Sequence, residues 1–534
     1  MESVPALRLL DLPHDSLREI LGRVLGVDLT EWNTQVRSAD RASVRLTCRA
    51  LARIVDSSAS AYVDAVSHFS KWGSGEGKAE AALRKFGRLA SLRVLELEGL
   101  GDAGLCRLLG AYADAAMARQ PLGERAGAFG LTTLHLAMGT FTAAPLFGTT
   151  LEDVELSGCA SMGDDAVGAL CDGSGALRKL KITASARLIE PKIHGVQLRE
   201  VNLSLCAQLR DGAVSALCAA CPRLSDLQLW RCVSLARPTI RGAELRVVNL
   251  SDCDALTDEA VSRMCAPSAC PELRVLTLAN CPLLAAPEVR CARLLLVDLS
   301  GCALLTDEAV GTLCAATTRL RMLSMPRCAA LARPAIGGCA LEALNMSGCH
   351  ELSDGALGAL CTASPALTRL CVALCASLVT PSIAGARLCD LVLSSCAALA
   401  DSAVGALCAN CPALRKLNLS RCASLCEPHI RSASLSRLLL AYCAQLTRPV
   451  VRGDALADVQ LSCCAALVDE AVDALCAGCP ALRKLSLAWC SSLRAPRVAH
   501  ARLQVLSLQG FNGADETLSA QIRQDCPVLR KMKV

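Results

Sequence analysis

A short motif recurs along most of this chain and limits what the chain can fold into. The motif reads Leu-x-x-Leu-x-Leu-x-x-Cys, as in LRVVNLSDC ending at Cys253 and LRKLNLSRC ending at Cys422. Successive motifs lie alternately 26 and 21 residues apart, for example from Cys206 to Cys232 and then to Cys253. A fixed period of this size is typical of a protein in which each repeat packs only against its neighbours. With the diverged copies at both ends included, the chain contains about 18 such repeats.

The longer repeats carry a helix signal after the motif. An Asp stands five residues after the final motif position, as in LTDEAV at residues 256–261. Thr and Asp satisfy free backbone N–H groups at a helix start, so we predict a helix of two to three turns in each longer repeat. The aspartates at this register are Asp164, Asp211, Asp258, Asp307, Asp354, Asp401 and Asp469.

The shorter repeats carry a proline six residues after the motif. Proline is excluded from a regular helix interior, so we predict that these segments are extended or turn-like. The alternation of the two repeat types slips once, because Cys422, Cys443 and Cys464 are 21 residues apart twice in succession. The prolines at this register are Pro191, Pro238, Pro287, Pro334, Pro381, Pro428, Pro449 and Pro496.

The cysteines are expected to be buried structural thiols. The final motif Cys recurs once per repeat, and Cys408 and Cys411 belong to further series in the longer repeats. A zinc site needs four convergent ligands, whereas equivalent Cys-x-x-Cys pairs here lie about 10 Å or more apart along the stack. A small apolar side chain with weak hydrogen-bonding ability suits the turn out of a strand into the core. A redox-active thiol and a metal site are the less favoured alternatives.

The repeats resemble the cysteine-containing subclass of the leucine-rich repeat. The segments CPELRVLTLANC, at residues 270–281, and CPALRKLSLAWC, at residues 479–490, carry the resemblance, which covers about residues 92–534. It implies an α/β solenoid of the ribonuclease-inhibitor-like horseshoe type. We expect helical and proline-marked extended segments to alternate on its convex side, in a domain over residues 89–534.

The segment before the repeats resembles an F-box. Leu12-Pro13 is followed by apolar residues at helical spacing and then by DRASVRLTCRAL, at residues 40–51. The resemblance implies a small helical module over residues 8–56 that docks on the Skp-family adaptor of a cullin–RING ubiquitin ligase. A helical cap over the first repeat is the alternative, and residues 57–88 are interpreted as a linker. The implied adaptor-binding residues are Leu12, Pro13, Leu17, Ile20, Leu21, Val24, Val44, Leu46 and Cys48.

Six residues at or near the ends of the predicted strands are candidates for binding a target protein. The residues between the motif leucines face the open side of the sheet, and most of them are small or uncharged. Trp, Tyr and Arg stand out there, and they are the residue types that anchor interfaces. Packing against neighbouring repeats is the alternative. The candidates are Trp230, Arg231, Arg327, Arg421, Tyr442 and Trp489.

Composition and charge argue against several other classes of protein. The net charge is +5 over 534 residues, and the pI of 8.1 lies below the value of about 9 typical of a nucleic-acid-binding domain. No apolar run reaches the roughly 18–20 residues that span a bilayer, and we expect no secretory signal. The seven His residues share no register. We therefore expect no cofactor, metal, nucleic acid or membrane, and a reducing location in the cytoplasm and/or nucleus.

Together the two resemblances imply a substrate-recognition subunit of an SCF-type (cullin–RING) E3 ubiquitin ligase. The N-terminal helices would bind the Skp-family adaptor and its cullin complex, and the repeats would bind an unknown target protein. The chain itself is expected not to be an enzyme, because its partners catalyse ubiquitin transfer, and to be a monomer outside the complex. The alternative is a stand-alone leucine-rich-repeat interaction scaffold with a helical N-terminal cap.

Overall fold

The computed structural model describes residues 62–65, 91–94, 133–137, 151–511 and 516–533. The predicted F-box-like module and all of its implied adaptor-binding residues lie outside the described residues. The chain divides into an N-terminal unit, Met1–Leu283, and a C-terminal unit, Leu284–Val534. Within each unit, short parallel strands alternate with helices and extended segments, which confirms the predicted α/β solenoid.

The described strands of the N-terminal unit form a parallel sheet in which each strand pairs with the next along the chain. The strand Tyr62–Ala65 lies within the range interpreted as a linker, and it pairs with Ser91–Val94. The sheet of this unit therefore begins before residue 89. The strands are β1 Tyr62–Ala65, β2 Ser91–Val94, β3 Thr133–Ala137, β4 Asp153–Ser157, β5 Lys179–Thr183, β6 Glu200–Asn202, β7 Asp226–Gln228, β8 Val247–Asn249 and β9 Val275–Thr277.

The C-terminal unit repeats the same pattern with strands of three residues. In most of these strands the middle residue is buried, as at Leu417 and Leu438. Two strands, β16 (His429–Arg431) and β18 (Val450–Arg452), form a separate two-stranded parallel sheet. The strands are β10 Leu296–Asp298, β11 Met322–Ser324, β12 Ala343–Asn345, β13 Arg369–Cys371, β14 Asp390–Val392, β15 Lys416–Asn418, β16 His429–Arg431, β17 Arg437–Leu439, β18 Val450–Arg452, β19 Asp458–Gln460, β20 Lys484–Ser486, β21 Val505–Ser507 and β22 Lys531–Lys533.

The helices start where the sequence predicts. Each longer repeat in the described residues begins its helix at the register Asp, and the proline-marked segments of the described shorter repeats contain no helix. None of the described helices combines the length and apolar character needed to cross a membrane. The helices are α1 Asp164–Gly173, α2 Asp211–Ala220, α3 Asp258–Met264, α4 Asp307–Ala316, α5 Asp354–Ala363, α6 Asp401–Asn410, α7 Asp469–Gly478 and α8 Glu516–Asp525.

The final motif cysteines form a buried ladder, as predicted. The Sγ atom of Cys422 donates a hydrogen bond to the carbonyl oxygen of Leu393 in the preceding repeat, at 3.2 Å. The thiol thereby adds a bond between repeats at a carbonyl group that also accepts from the backbone N–H of Cys396. Equivalent bonds are made by Cys206, Cys232, Cys253, Cys281, Cys328, Cys349, Cys375, Cys396, Cys443, Cys464 and Cys490.

Six of the register aspartates bind the next repeat instead of capping their own helices. The carboxylate of Asp401 accepts hydrogen bonds from the backbone N–H groups of Cys426 and Glu427, at 3.1 and 2.9 Å. The prediction that Asp caps its own helix is wrong, because Asp is the first helical residue, one position past the cap. Among the described helices, capping of the helix by its own side chain occurs at Thr306 and Ser353.

We call this contact the carboxylate clamp, and it joins a longer repeat to the shorter repeat that follows it. Each clamp uses both oxygens of the carboxylate on two successive backbone N–H groups of the proline-marked segment. Hydrogen bonds to a charged acceptor are stronger than neutral ones. The other clamps are formed by Asp164, Asp211, Asp307, Asp354 and Asp469.

We expect Asp401→Ala to lower the free energy of unfolding by about 2–3 kcal/mol, because two backbone N–H groups lose a charged acceptor. Urea denaturation followed by circular dichroism measures the change. The control is Asp473→Ala, which removes an exposed carboxylate from α7. Equal midpoints for the two variants would contradict a stabilising role for the clamp.

Candidate binding surface

A row of residues in the left-handed backbone conformation follows the strands. Each of these residues immediately precedes the final motif position, and its φ angle lies between 55° and 74°. We call the row the αL ridge. Its members are Gly158, Ala184, Leu205, Arg231, Asp252 and Asn280 in the N-terminal unit, and Gly301, Arg327, Gly348, Leu374, Ser395, Arg421, Tyr442, Cys463, Trp489 and Gly510 in the C-terminal unit.

Hydrogen bonds between repeats hold the αL ridge in place. The N–H of Tyr442 donates to the carbonyl oxygen of Ser462 at 2.8 Å, and that of Trp489 donates to Gln509 at 2.7 Å. A left-handed conformation costs about 1–2 kcal/mol at a residue other than glycine. The ladder of backbone bonds fixes this conformation at successive repeats, so the side chains of the ridge project from a rigid support.

The large exposed apolar side chains of the ridge lie in the C-terminal unit. Tyr442 is 53% exposed, Trp489 58% and Leu374 52%. The guanidinium of Arg421 lies over the ring of Tyr442, 4.8 Å from its centroid. Such a cation–π contact orients both groups without hiding them from a partner.

Glycines beneath two of the ridge side chains explain how those side chains are placed. A Cβ atom at Gly510 would lie 2.3 Å from Cε3 of Trp489, so the indole rests directly on this backbone. A Cβ atom at Gly348 would lie 3.2 Å from Cγ of Arg327. Both glycines also have positive φ. The absence of a side chain at both glycines therefore leaves the space that Trp489 and Arg327 occupy.

The two candidate residues of the N-terminal unit, Trp230 and Arg231, contact neighbouring side chains. The indole N–H of Trp230 donates to the Asp252 carboxylate, which also accepts a bond from Asn280 Nδ2 at 2.9 Å. Arg231 lies 5.8 Å from the centroid of the Trp230 ring. Trp230 is half-buried, and it lies on the strand side of the ridge. These contacts favour the alternative that Trp230 and Arg231 pack between repeats. Tyr442 and Trp489 fit that alternative less well.

Several charged residues on the open face of the described strands form salt bridges with one another. Lys179 and Glu200 form a salt bridge of 2.8 Å in the N-terminal unit, and Arg437 and Asp458 one of 3.0 Å in the C-terminal unit. Asp226 is only 5% exposed. Beside these pairs, the exposed aromatic and arginine side chains are the most distinctive groups of the ridge.

The buried thiols are protonated, and therefore unreactive, at neutral pH. Burial raises the pKa of Cys396 to about 11 and that of Cys422 to about 12. Only the thiolate is a nucleophile or a metal ligand. The cysteines in the described part of the chain form no disulfide, and no group of His, Cys, Asp and Glu there could hold a metal ion.

The structure brings five of the six predicted target-binding residues onto one register. Arg231, Arg327, Arg421, Tyr442 and Trp489 lie on the αL ridge, and all five are exposed. Leu374 is not among the residues predicted from the sequence, although it has the same register and similar exposure. The signal that could have found it is its position directly before Cys375, since every ridge residue stands directly before the final motif position.

The architecture is that of a leucine-rich-repeat solenoid. No family model matches the chain, and no curated protein matches it. Among solved structures, a chain of the yeast Rad7–Elc1 complex is 14% identical with a TM-score of 0.28, and the match covers 97% of this chain and 92% of that one. A chain of the mouse RP105/MD-1 complex is 13% identical with a TM-score of 0.35, covering 79% of this chain and 85% of that one.

Proposed function

We propose that this protein recognises a target protein through the αL ridge of its C-terminal unit. The observation that carries the proposal is the exposed stack of Arg421 on Tyr442, with the exposed indole of Trp489 at the same register. Arg, Tyr and Trp contribute a disproportionate share of the binding energy at protein interfaces. A rigid support also reduces the entropy lost on binding.

The ridge suits a protein better than a small molecule or a nucleic acid. Its largest apolar side chains are more than half exposed, whereas small ligands bind in concave pockets that bury most of their surface. Cationic and aromatic groups alternate with Ser395 and Cys463 along the row. A partner with both apolar and acidic groups could contact Trp489, Tyr442 and Arg421 together.

We further propose that the target is presented for ubiquitination, with this chain as the substrate-recognition subunit of an SCF-type E3 ligase. The support is the F-box-like segment that contains Leu12, Pro13 and Ile20, placed directly upstream of the repeats. In this proposal the adaptor and cullin complex bind that segment, and the partners catalyse the transfer. The chain itself is then not an enzyme, and it works in the cytoplasm and/or nucleus.

We expect the double variant Tyr442→Ala with Trp489→Ala to lose most target binding. Alanine substitution of a central aromatic residue typically costs about 2 kcal/mol or more at an interface, so the two together should lower the affinity at least about a hundredfold. Affinity capture from cell lysate with quantitative mass spectrometry measures the loss. The control is Leu304→Ala with Val528→Ala, which removes exposed apolar side chains that lie off the ridge. Unchanged capture by the ridge variant would contradict the proposal.

We expect the intact chain to bind purified Skp-family adaptor, and Leu12→Asp with Ile20→Asp to abolish that binding, because charged groups cannot enter an apolar interface without a large desolvation cost. A pull-down with the adaptor measures this directly. The matched comparison is the ridge variant, which should bind adaptor normally. If the intact chain binds no adaptor, the chain is a stand-alone scaffold instead.

A further inference from the structure

The slip in the repeat alternation creates a feature that the other described repeats lack. Two shorter repeats follow each other after Cys422 and Cys443, and their proline-marked segments pair as β16 and β18. The carboxylate clamp of Asp401 holds the first of these segments. The second segment has no helix directly before it, so it relies on the strand pairing and on α7, where Gly453 N–H donates to the Gly478 carbonyl at 3.1 Å.

A groove of about 1020 Å³ lies between this small sheet and α7. One wall is the helix, whose side chains there are as small as Ala474 and Ala477. Val450 and Val451 contribute to the other side of the groove. The backbone of Gly478 packs directly against the backbone of Val451. A Cβ atom at Gly478 would lie 2.4 Å from the Val451 carbonyl oxygen, so only glycine fits there. We call this feature the slip groove.

Three arginines line the slip groove. Arg431 and Arg452 are register partners on the two parallel strands, which places their side chains next to each other at the strand spacing of about 4.8 Å. Arg448 lines the same groove, and all three are exposed. Among the described residues, no salt bridge joins these guanidinium groups to a carboxylate. Neighbouring positive charges repel, so an anion between them would be stabilised.

The rest of the lining indicates what kind of anion fits. Asp454 and Glu470 also border the groove, so the positive charge is confined to the three arginines. That suits a ligand with a few spaced negative charges better than a nucleic acid, which binds through many successive phosphate contacts. The wall of Ala474 and Ala477 suits apolar side chains. A peptide that alternates carboxylates with apolar residues matches both features.

We propose that the slip groove binds an acidic peptide segment of a partner protein. Arg431 and Arg452 bind its carboxylates, and Ala474 and Ala477 contact its apolar side chains. Arg–carboxylate pairs with two parallel hydrogen bonds fix the direction of the ligand as well as adding affinity. This surface consists of different residues from the αL ridge, so the protein would hold a second partner, or a second segment of one partner, independently of the target proposed above.

The test measures binding of a fluorescein-labelled eight-residue peptide of alternating Glu and Leu by fluorescence anisotropy with the full chain. We expect saturable binding, and a loss of at least about tenfold in affinity for Arg431→Glu with Arg452→Glu, since each charge-assisted bond is worth about 1.5–3 kcal/mol. The charge-matched control is Arg241→Glu with Arg387→Glu, which changes exposed arginines of two other shorter repeats. The same peptide with Gln in place of Glu should bind at least about tenfold more weakly.

A second pair of variants tests the groove without changing its charge. Ala477→Trp should fill the groove and weaken peptide binding at least about tenfold, whereas Ala219→Trp, at the equivalent exposed position of α2, should leave binding unchanged. Thermal unfolding monitors the fold of every variant. The proposal is overturned if the peptide does not bind, if both charge reversals weaken binding equally, or if Ala477→Trp binds as the parent does. Tighter binding of a single-stranded RNA through the same arginines would also overturn it.

Discussion

Raising the pH from 9 to 11 is expected to destabilise the protein by several kcal/mol and to unfold it within that range. The cause is the set of buried thiols. Burial raises the pKa of many of them from 9.0 to about 11, as at Cys349, Cys396 and Cys443. In the unfolded chain the same thiols ionise near 9.0.

The direction follows from proton linkage. Below pH 9 each thiol is protonated in both states, so its contribution to stability is fully present. Above pH 9 the unfolded chain releases the proton while the folded chain retains it, and stability falls by up to about 1.4 kcal/mol per pH unit for each thiol. The loss is complete once the pH passes the folded pKa. Two or three such thiols together remove an amount comparable with the total stability of a typical domain, about 5–15 kcal/mol.

Urea midpoints measured at intervals between pH 7 and 11 test this expectation. The matched variant replaces Cys349, Cys396 and Cys443 by Ala, which removes three of the ladder thiols. Its stability should be lower at pH 7, because three bonds to carbonyl groups are lost. Its loss of stability between pH 9 and 11 should nevertheless be smaller by a few kcal/mol. The same slope in both proteins would show that other groups cause the alkaline transition.

Leu438→Ala should destabilise the C-terminal unit by about 3 kcal/mol. Leu438 is fully buried in the middle of β17, and removing its side chain loses buried apolar surface and leaves a cavity. Its neighbour Leu439 lies on the opposite face of the same strand and is half-buried. Leu439→Ala should therefore cost less than about 1 kcal/mol, since little or no cavity forms there.

The two leucine variants differ by one position, so they also test the strand register. Urea denaturation gives both free energies of unfolding under one set of conditions. Equal losses, or a larger loss for Leu439→Ala, would mean that the strand faces are assigned the wrong way round. A one-residue shift of register exchanges the two faces of a strand.

The repeat pattern alone predicted the local structure well, because local structure here follows from short-range chemistry. The helix starts at Asp401 and Asp469 and the extended segments at Pro428 and Pro449 were all readable from residue types at a fixed register. The buried position of Cys422 followed from its recurrence once per repeat. The residues of the N-terminal module were assigned by resemblance, and they stay a prediction.

Contacts between repeats were harder to predict. The carboxylate of Asp401 bonds to residues 25 and 26 positions away, and no local pattern distinguishes that role from helix capping. The left-handed conformation of Tyr442 and Trp489 could not be predicted from their residue types either, because it is normally associated with glycine or asparagine. The bond from Trp230 to Asp252 joins positions 22 residues apart. The slip was visible in the spacing, yet the groove beside it required the pairing of β16 with β18.

The one-way direction of the carboxylate clamp has a consequence for protein engineering. Because each clamp joins a helical repeat to the proline repeat behind it, the natural building block is a pair of repeats rather than a single one. Shortened or lengthened versions should tolerate cuts between such pairs and fail when a cut divides one. Deleting the 21 residues from Arg421 to Ala441 or from Tyr442 to Ser462 would restore strict alternation, but only the second deletion keeps Asp401 with the segment it holds.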